Sequence, residues 1–111
     1  MSNYQIDRER WQQLGLLEQM ANIGSEVGRA IKARRTGKEE RLAGAIDRAL
    51  DLFAATTEHL VTLHSYRLKE VLRARDEFLR LFYDDTFETD ASALERYFTQ
   101  FAVAVRNNVT N

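Results

Sequence analysis

Two apolar rows run side by side through residues 11–35. One carries Leu16, Met20, Ile23, Val27 and Ala30; the other carries Leu14, Leu17, Ala21, Gly24, Gly28 and Ile31. Steps of three and four alternate in both, so the rows are neighbouring stripes on one helix. At ~100° per residue they span roughly 200° of its surface. That arc is too wide for a two-stranded seam and suits a helix that touches two or more partners. Two glycines within it cost about 1 kcal/mol each relative to alanine. Ala21, Gly24 and Gly28 therefore mark a row of close helix packing.

The same spacing predicts three further helices. Leu42, Ile46, Ala49, Leu50 and Phe53 share one face of a helix over 39–58. Leu68, Val71, Leu72, Arg75, Phe78, Leu79 and Phe82 share a face of a helix over 65–83. Leu94, Tyr97, Phe98, Phe101, Ala102 and Val105 share a face of a helix over 92–106. The first helix is expected over 8–35, capped by Asp7 and closed by Thr36-Gly37, where glycine takes the left-handed position. Trp11 falls off its apolar arc if that helix is regular, so it packs across the bundle end or lies at a subunit contact.

No proline interrupts residues 41–83, but an unbroken helix there would run roughly 65 Å at ~1.5 Å per residue. A chain of 111 residues has a radius of gyration of about 13 Å. A turn is therefore expected between residues 57 and 65, where threonine, histidine and serine weaken helical propensity. Ser92 and Glu95 have the spacing of a capping box opening the last helix. The expected fold is all-α, an antiparallel up-down-up-down four-helix bundle in one domain over 1–111. Residues 1–8 read as a lead-in and 106–111 as a polar tail.

Composition narrows the function classes. Hydrophobic content of 44% and charged content of 30% fit a globular chain rather than a disordered one. A formal net charge of −1 creates no global field for nucleic acid or anionic lipid. Cysteine is absent, which removes disulfides, thiolate metal sites and a cysteine nucleophile, and fits a reducing cytosol. No apolar run approaches ~18 residues and no secretory signal pattern opens the chain, so a cytoplasmic protein without a membrane span is expected. Asn108-Val109-Thr110 matches a glycosylation acceptor by chance in that setting.

The candidate chemistry is sparse. Asn22, Glu26 and Arg29 form a polar stripe at helical spacing. Lys32, Arg34, Arg35, Lys38 and Arg41, with Arg29, form the densest basic cluster. Glu39 and Glu40 reduce its local excess to four. It suits RNA phosphates or an acidic partner, but no aromatic residue interleaves for base stacking. His59 and His64 lie ~140° apart on a regular helix and cannot share a metal there. Neither has a glutamate three residues before it, as a di-iron bundle requires. Asp47 and Asp51 lie beside the core row, and with Glu18 or Glu26 approaching from the first helix they are the carboxylates that suggest magnesium-dependent hydrolysis. The acidic loop 84–90 lacks the glycine and final glutamate of an EF-hand. No catalytic residue, cofactor or metal ligand is assigned.

The run EQMANIGSEVGRA (18–30), with the Trp-x-x-Leu-Gly opening at 11–15, RALDLF at 48–53 and the aromatic segment at 97–102, resembles a group of small bacterial all-α proteins to which no activity is assigned. A looser architectural likeness links the chain to HEPN-type bundles, some of which cleave RNA. Their arginine four to six residues before a histidine has no counterpart here. The leading expectation is a non-enzymatic interaction module that pairs with itself, most simply as a dimer. An RNA- or nucleotide-associated partner protein of toxin–antitoxin type, using the basic helix end, is the alternative, and a metal-dependent nucleotide hydrolase is a weaker one.

Overall fold

The described residues form five helices and no strand: α1 (Arg8–Gln12), α2 (Leu16–Arg35), α3 (Glu39–Thr62), α4 (Leu68–Tyr83) and α5 (Phe87–Thr110). The structure, a computed structural model, describes residues 5–110, the side chains of Val109 and Thr110 excepted. Most of the lead-in (1–4), the tip of the tail and most of the glycosylation triplet's side chains therefore lie outside it. α2 packs along both α3 and α5, α4 packs against the same two, and α1 lies on α3. Met20, Ile23, Val27, Ile31, Phe53, Val71, Phe78, Leu81 and Phe98 meet at the centre. Phe53 stands between Phe78 and Phe98, with ring centroids 6.1 and 6.2 Å away.

The first helix is broken where continuity was expected. α1 ends at Gln12, and α2 begins after Gly15, an extended N-cap with φ −69° and ψ 163°. The break turns Trp11 inward. A continuous helix would have left that large indole on the polar side. Here it is buried, and its Nε1 donates to the buried Thr56 Oγ1 at 2.9 Å. Buried Gln19 satisfies the carbonyls freed by the break, donating from Nε2 to the oxygens of Trp11 and Leu14 at 3.0 and 3.2 Å. The Arg8 guanidinium and the Ile6 N–H both bind Asp51, so α1 is fastened to the middle of α3. Asp7 caps α1 as expected, accepting from the N–H groups of Glu9 and Arg10.

Each interhelical turn among the four long helices contains one residue in the left-handed region: Gly37 (φ 69°), His64 (φ 51°) and Asp85 (φ 62°). At Gly37 the N–H of Lys38 reaches the carbonyl of Ala33 and that of Gly37 reaches Arg34, a Schellman closure. His64 repeats it, with Ser65 N–H to Leu60 and His64 N–H to Val61. α3 therefore runs to Thr62, past the expected end at 58, and α4 opens at Leu68 rather than 65. Burial of Thr56 and Leu60 outweighs the weak propensity of the intervening threonines.

α5 starts at Phe87, five residues before the expected start, and continues to Thr110 rather than stopping at 106. The Ser92/Glu95 capping box is thus not a cap: both residues lie inside the helix and accept from Arg35. Burial of Phe87 and Ala91 draws the earlier turn of α5 into the helix. The core face of α4 is Val71, Ala74, Phe78 and Leu81, which leaves Leu72 exposed. Among the described residues, no helix is long and apolar enough to cross a membrane.

Candidate functional site

A heavily charged concavity lies between the C-terminal half of α2 and the start of α3. Arg29, Lys32, Ala33 and Thr36 form one wall, at helical steps of three, four and seven. Glu40, Arg41, Gly44 and Arg48 form the other, and the groove encloses about 360 Å³. That lies within the ~300–1,000 Å³ typical of ligand pockets. Four cations converge on it from two helices, because the Schellman turn at Gly37 folds α3 back along α2.

A buried carboxylate organises two of those cations. Glu26, 8% exposed, accepts from Arg48 Nε at 3.1 Å and pairs with Arg29 Nη1 at 3.2 Å, both through Oε2. Its Oε1 is buried and accepts no hydrogen bond among the described residues. Gly44 gives Arg48 room to lie along α3: a Cβ at that position would stand 3.2 Å from Arg48 Nη1. Lys32 and Arg41 form no ion pair among the described residues. Thr36 Oγ1 donates to the carbonyl of Lys32 at 2.9 Å, so its hydroxyl proton serves its own helix.

The expected stripe and cluster are therefore redistributed. Asn22 stays exposed, its amide donating to the Glu18 carbonyl, while Glu26 reaches Arg48 on α3 and Arg29 pairs with Glu26 at the groove. Arg34 and Arg35 leave the basic cluster for α5. Their guanidinium carbons lie 5.1 and 5.8 Å from the Phe87 ring centroid, and Arg35 Nη1 binds Glu95 Oε1 at 3.0 Å. Lys38 lies in the turn just before α3 and borders a shallow surface concavity with Gly37 and Arg41. Arg48 is the groove residue that sequence reasoning missed. Its signal was present, since Arg41, Gly44 and Arg48 share a helical face, but the neighbouring Asp47 and Asp51 drew attention to metal chemistry.

The close-packing row also divides. A Cβ on Gly24 would stand 2.9 Å from Phe98 Cβ, so α5 approaches there at backbone distance. Nothing lies within 4 Å of a Cβ built on Gly28. Ala21, Gly24 and Gly28 line a second groove, about 180 Å³, between α2 and α5.

Of the carboxylates considered for metal chemistry, Glu26 is held by two arginines and Asp51 by Arg8 and the Ile6 N–H. No group of three or more His, Asp or Glu side chains suited to a metal ion occurs among the described residues. His59 Nδ1 lies 3.5 Å from Gln19 Nε2, and His64 sits in the α3–α4 turn.

A separate polar cluster joins α4 to α5. Tyr97 donates its hydroxyl proton to Glu70 Oε2 at 2.7 Å, and Arg67 Nε donates to Glu70 Oε1 at 3.0 Å. The Tyr97 hydrogen bond, supported by Arg67, holds the Glu70 carboxyl below the usual glutamate range. Burial and the Glu70 charge push the Tyr97 phenol above its ordinary value. Comparison of the chain with family models, curated proteins and solved structures finds no match.

Proposed function

We propose that the chain is a non-enzymatic cytosolic interaction module, and that the α2–α3 groove is its contact surface for the acidic group of a partner. In this reading the four long helices form an antiparallel up-down-up-down bundle, with α1 as a clasp on α3. The observation that carries the reading is the convergence of Arg29, Lys32, Arg41 and Arg48 on one groove, two of them in no ion pair among the described residues. Unpaired like charges held side by side repel one another, and an anion relieves that repulsion. Against a net chain charge of −1, the groove is a local feature that steers an acidic group to one place.

An extended nucleic-acid track finds less support. Arg34 and Arg35 are engaged by α5, which shortens the basic run, and no aromatic residue lines the groove for base stacking. The test is titration of the full chain with a glutamate-rich peptide at low ionic strength. Binding that weakens with salt and disappears in Lys32→Glu/Arg41→Glu is expected. Absence of binding to the wild-type chain overturns the reading.

Self-association is a second reading, favoured by a different surface. Val61, Leu63 and Tyr66 cluster around the α3–α4 turn and are 55%, 61% and 89% exposed. Apolar side chains exposed together in this way suit a contact with a second copy, most simply a dimer.

A further inference from the structure

We propose that the α2–α3 groove is a phosphomonoester site, in which Lys32 and Arg41 bind the dianion and Glu26 positions Arg29 and Arg48 around it. This deepens the acidic-partner reading and rests on it.

The charge balance selects the ligand class. Four cations face the groove, buried Glu26 offsets one and Glu40 in the α3 wall offsets another, which leaves a local excess of two. A phosphomonoester carries about −1.5 to −2 at pH 7. A single carboxylate or a phosphodiester link carries about −1 and leaves part of the excess unmatched. The donor geometry agrees. Arg48 binds Glu26 through Nε, and Arg29 uses Nη1, so each guanidinium keeps other N–H donors free. Guanidinium forks match oxyanions bidentately, and the flexible Lys32 ammonium supplies a point charge.

The walls limit what accompanies the phosphate. Ala33 is buried and Gly44 is covered by the Arg48 guanidinium, so the cations form the polar surface of the groove. No aromatic face lines the groove, so no nucleobase platform is present. The Thr36 hydroxyl already donates within α2, which leaves the cations as the side-chain donors.

The experiment is amide NMR titration of the full chain at low salt with four probes: inorganic phosphate, a phosphoserine hexapeptide, the same peptide with glutamate in place of phosphoserine, and a short single-stranded RNA. Expected are shifts at the Lys32, Ala33, Arg41 and Gly44 amides with inorganic phosphate, the phosphopeptide or both. The tighter of the two identifies whether the source is free or peptide-borne. Phosphopeptide affinity should fall severalfold from about pH 7.5 to pH 5.5, as the phosphate dianion protonates near pH 6. Lys32→Gln/Arg41→Gln should weaken it by about tenfold or more without altering the circular dichroism, because neither side chain supports the fold.

Equal affinity for the glutamate peptide with no pH dependence overturns the phosphate assignment and leaves the acidic-partner reading standing. Tighter binding of RNA at the same amides also overturns it. No response to any acidic probe removes both readings.

Discussion

Glu70 shows how a single contact makes stability depend on pH. Its carboxylate is held by the Tyr97 hydroxyl and then by Arg67, so its folded pKa lies below the unfolded value of 4.5. A depressed carboxyl contributes stability that is present above the unfolded pKa and lost as pH falls through the folded one. Glu70 is partly exposed, so solvent screens the effect and keeps it modest. Urea unfolding at about pH 6 and about pH 3.5 should show a smaller acid loss in Glu70→Gln than in the wild-type chain. Equal losses would remove Glu70 from the acid limb. Residue identity also explains where sequence reading stopped. Gly37 announced a left-handed turn because glycine adopts positive φ freely. His64 and Asp85 take the same conformation; Asp and His are enriched there among non-glycine residues, but far less sharply than glycine, so they mark a turn weakly.

At the scale of the element, helical periodicity gave the long helices, because a wide apolar arc survives small errors in register. The ends were less legible, since burial decided them. Phe87 and Ala91 start α5 early, and the indole of Trp11 breaks the first helix. The groove was legible in half. Arg29, Lys32 and Arg41 stood out as charges on two helices, whereas the diversion of Arg34 and Arg35 depends on Phe87 and Glu95, more than 50 residues away in sequence. The glycines on α2 separate two effects that sequence merges. Gly24→Ala forces its Cβ to 2.9 Å from Phe98 Cβ, well inside the ~3.5–4.0 Å carbon contact distance. Displacing α5 should outweigh the gain in helix propensity and destabilise the chain by about 1 kcal/mol or more. Gly28→Ala meets nothing within 4 Å and should stabilise by up to about 1 kcal/mol. Denaturant midpoints shifting in the same direction for both would show that the two positions are equivalent after all.

For the molecule as a whole, the helices fill a body of 37 × 32 × 24 Å with a radius of gyration of 13.9 Å. The 24 residues of α3 would extend about 36 Å at 1.5 Å per residue, so one helix nearly spans the longest dimension. This body leaves the groove and the apolar end formed by Val61, Leu63 and Tyr66 available as separate surfaces. If the second is a contact between copies, light scattering at tens of micromolar should give twice the chain mass of 12.9 kDa. Tyr66→Asp should return the mass to that of one chain without unfolding it, because Tyr66 is almost fully exposed. A wild-type monomer at that concentration rules out self-association through this end.

The fastening of α1 to α3 also makes the protein its own optical gauge. Trp11 is the only tryptophan, and it is buried with its indole N–H on Thr56, in the shortest helix of the chain. Emission from that ring therefore reports the packing of α1 on α3. Far-ultraviolet ellipticity is dominated by the four long helices and follows their collective melting. Where the two signals part under denaturant or a change of pH, the clasp has opened before the body of the molecule.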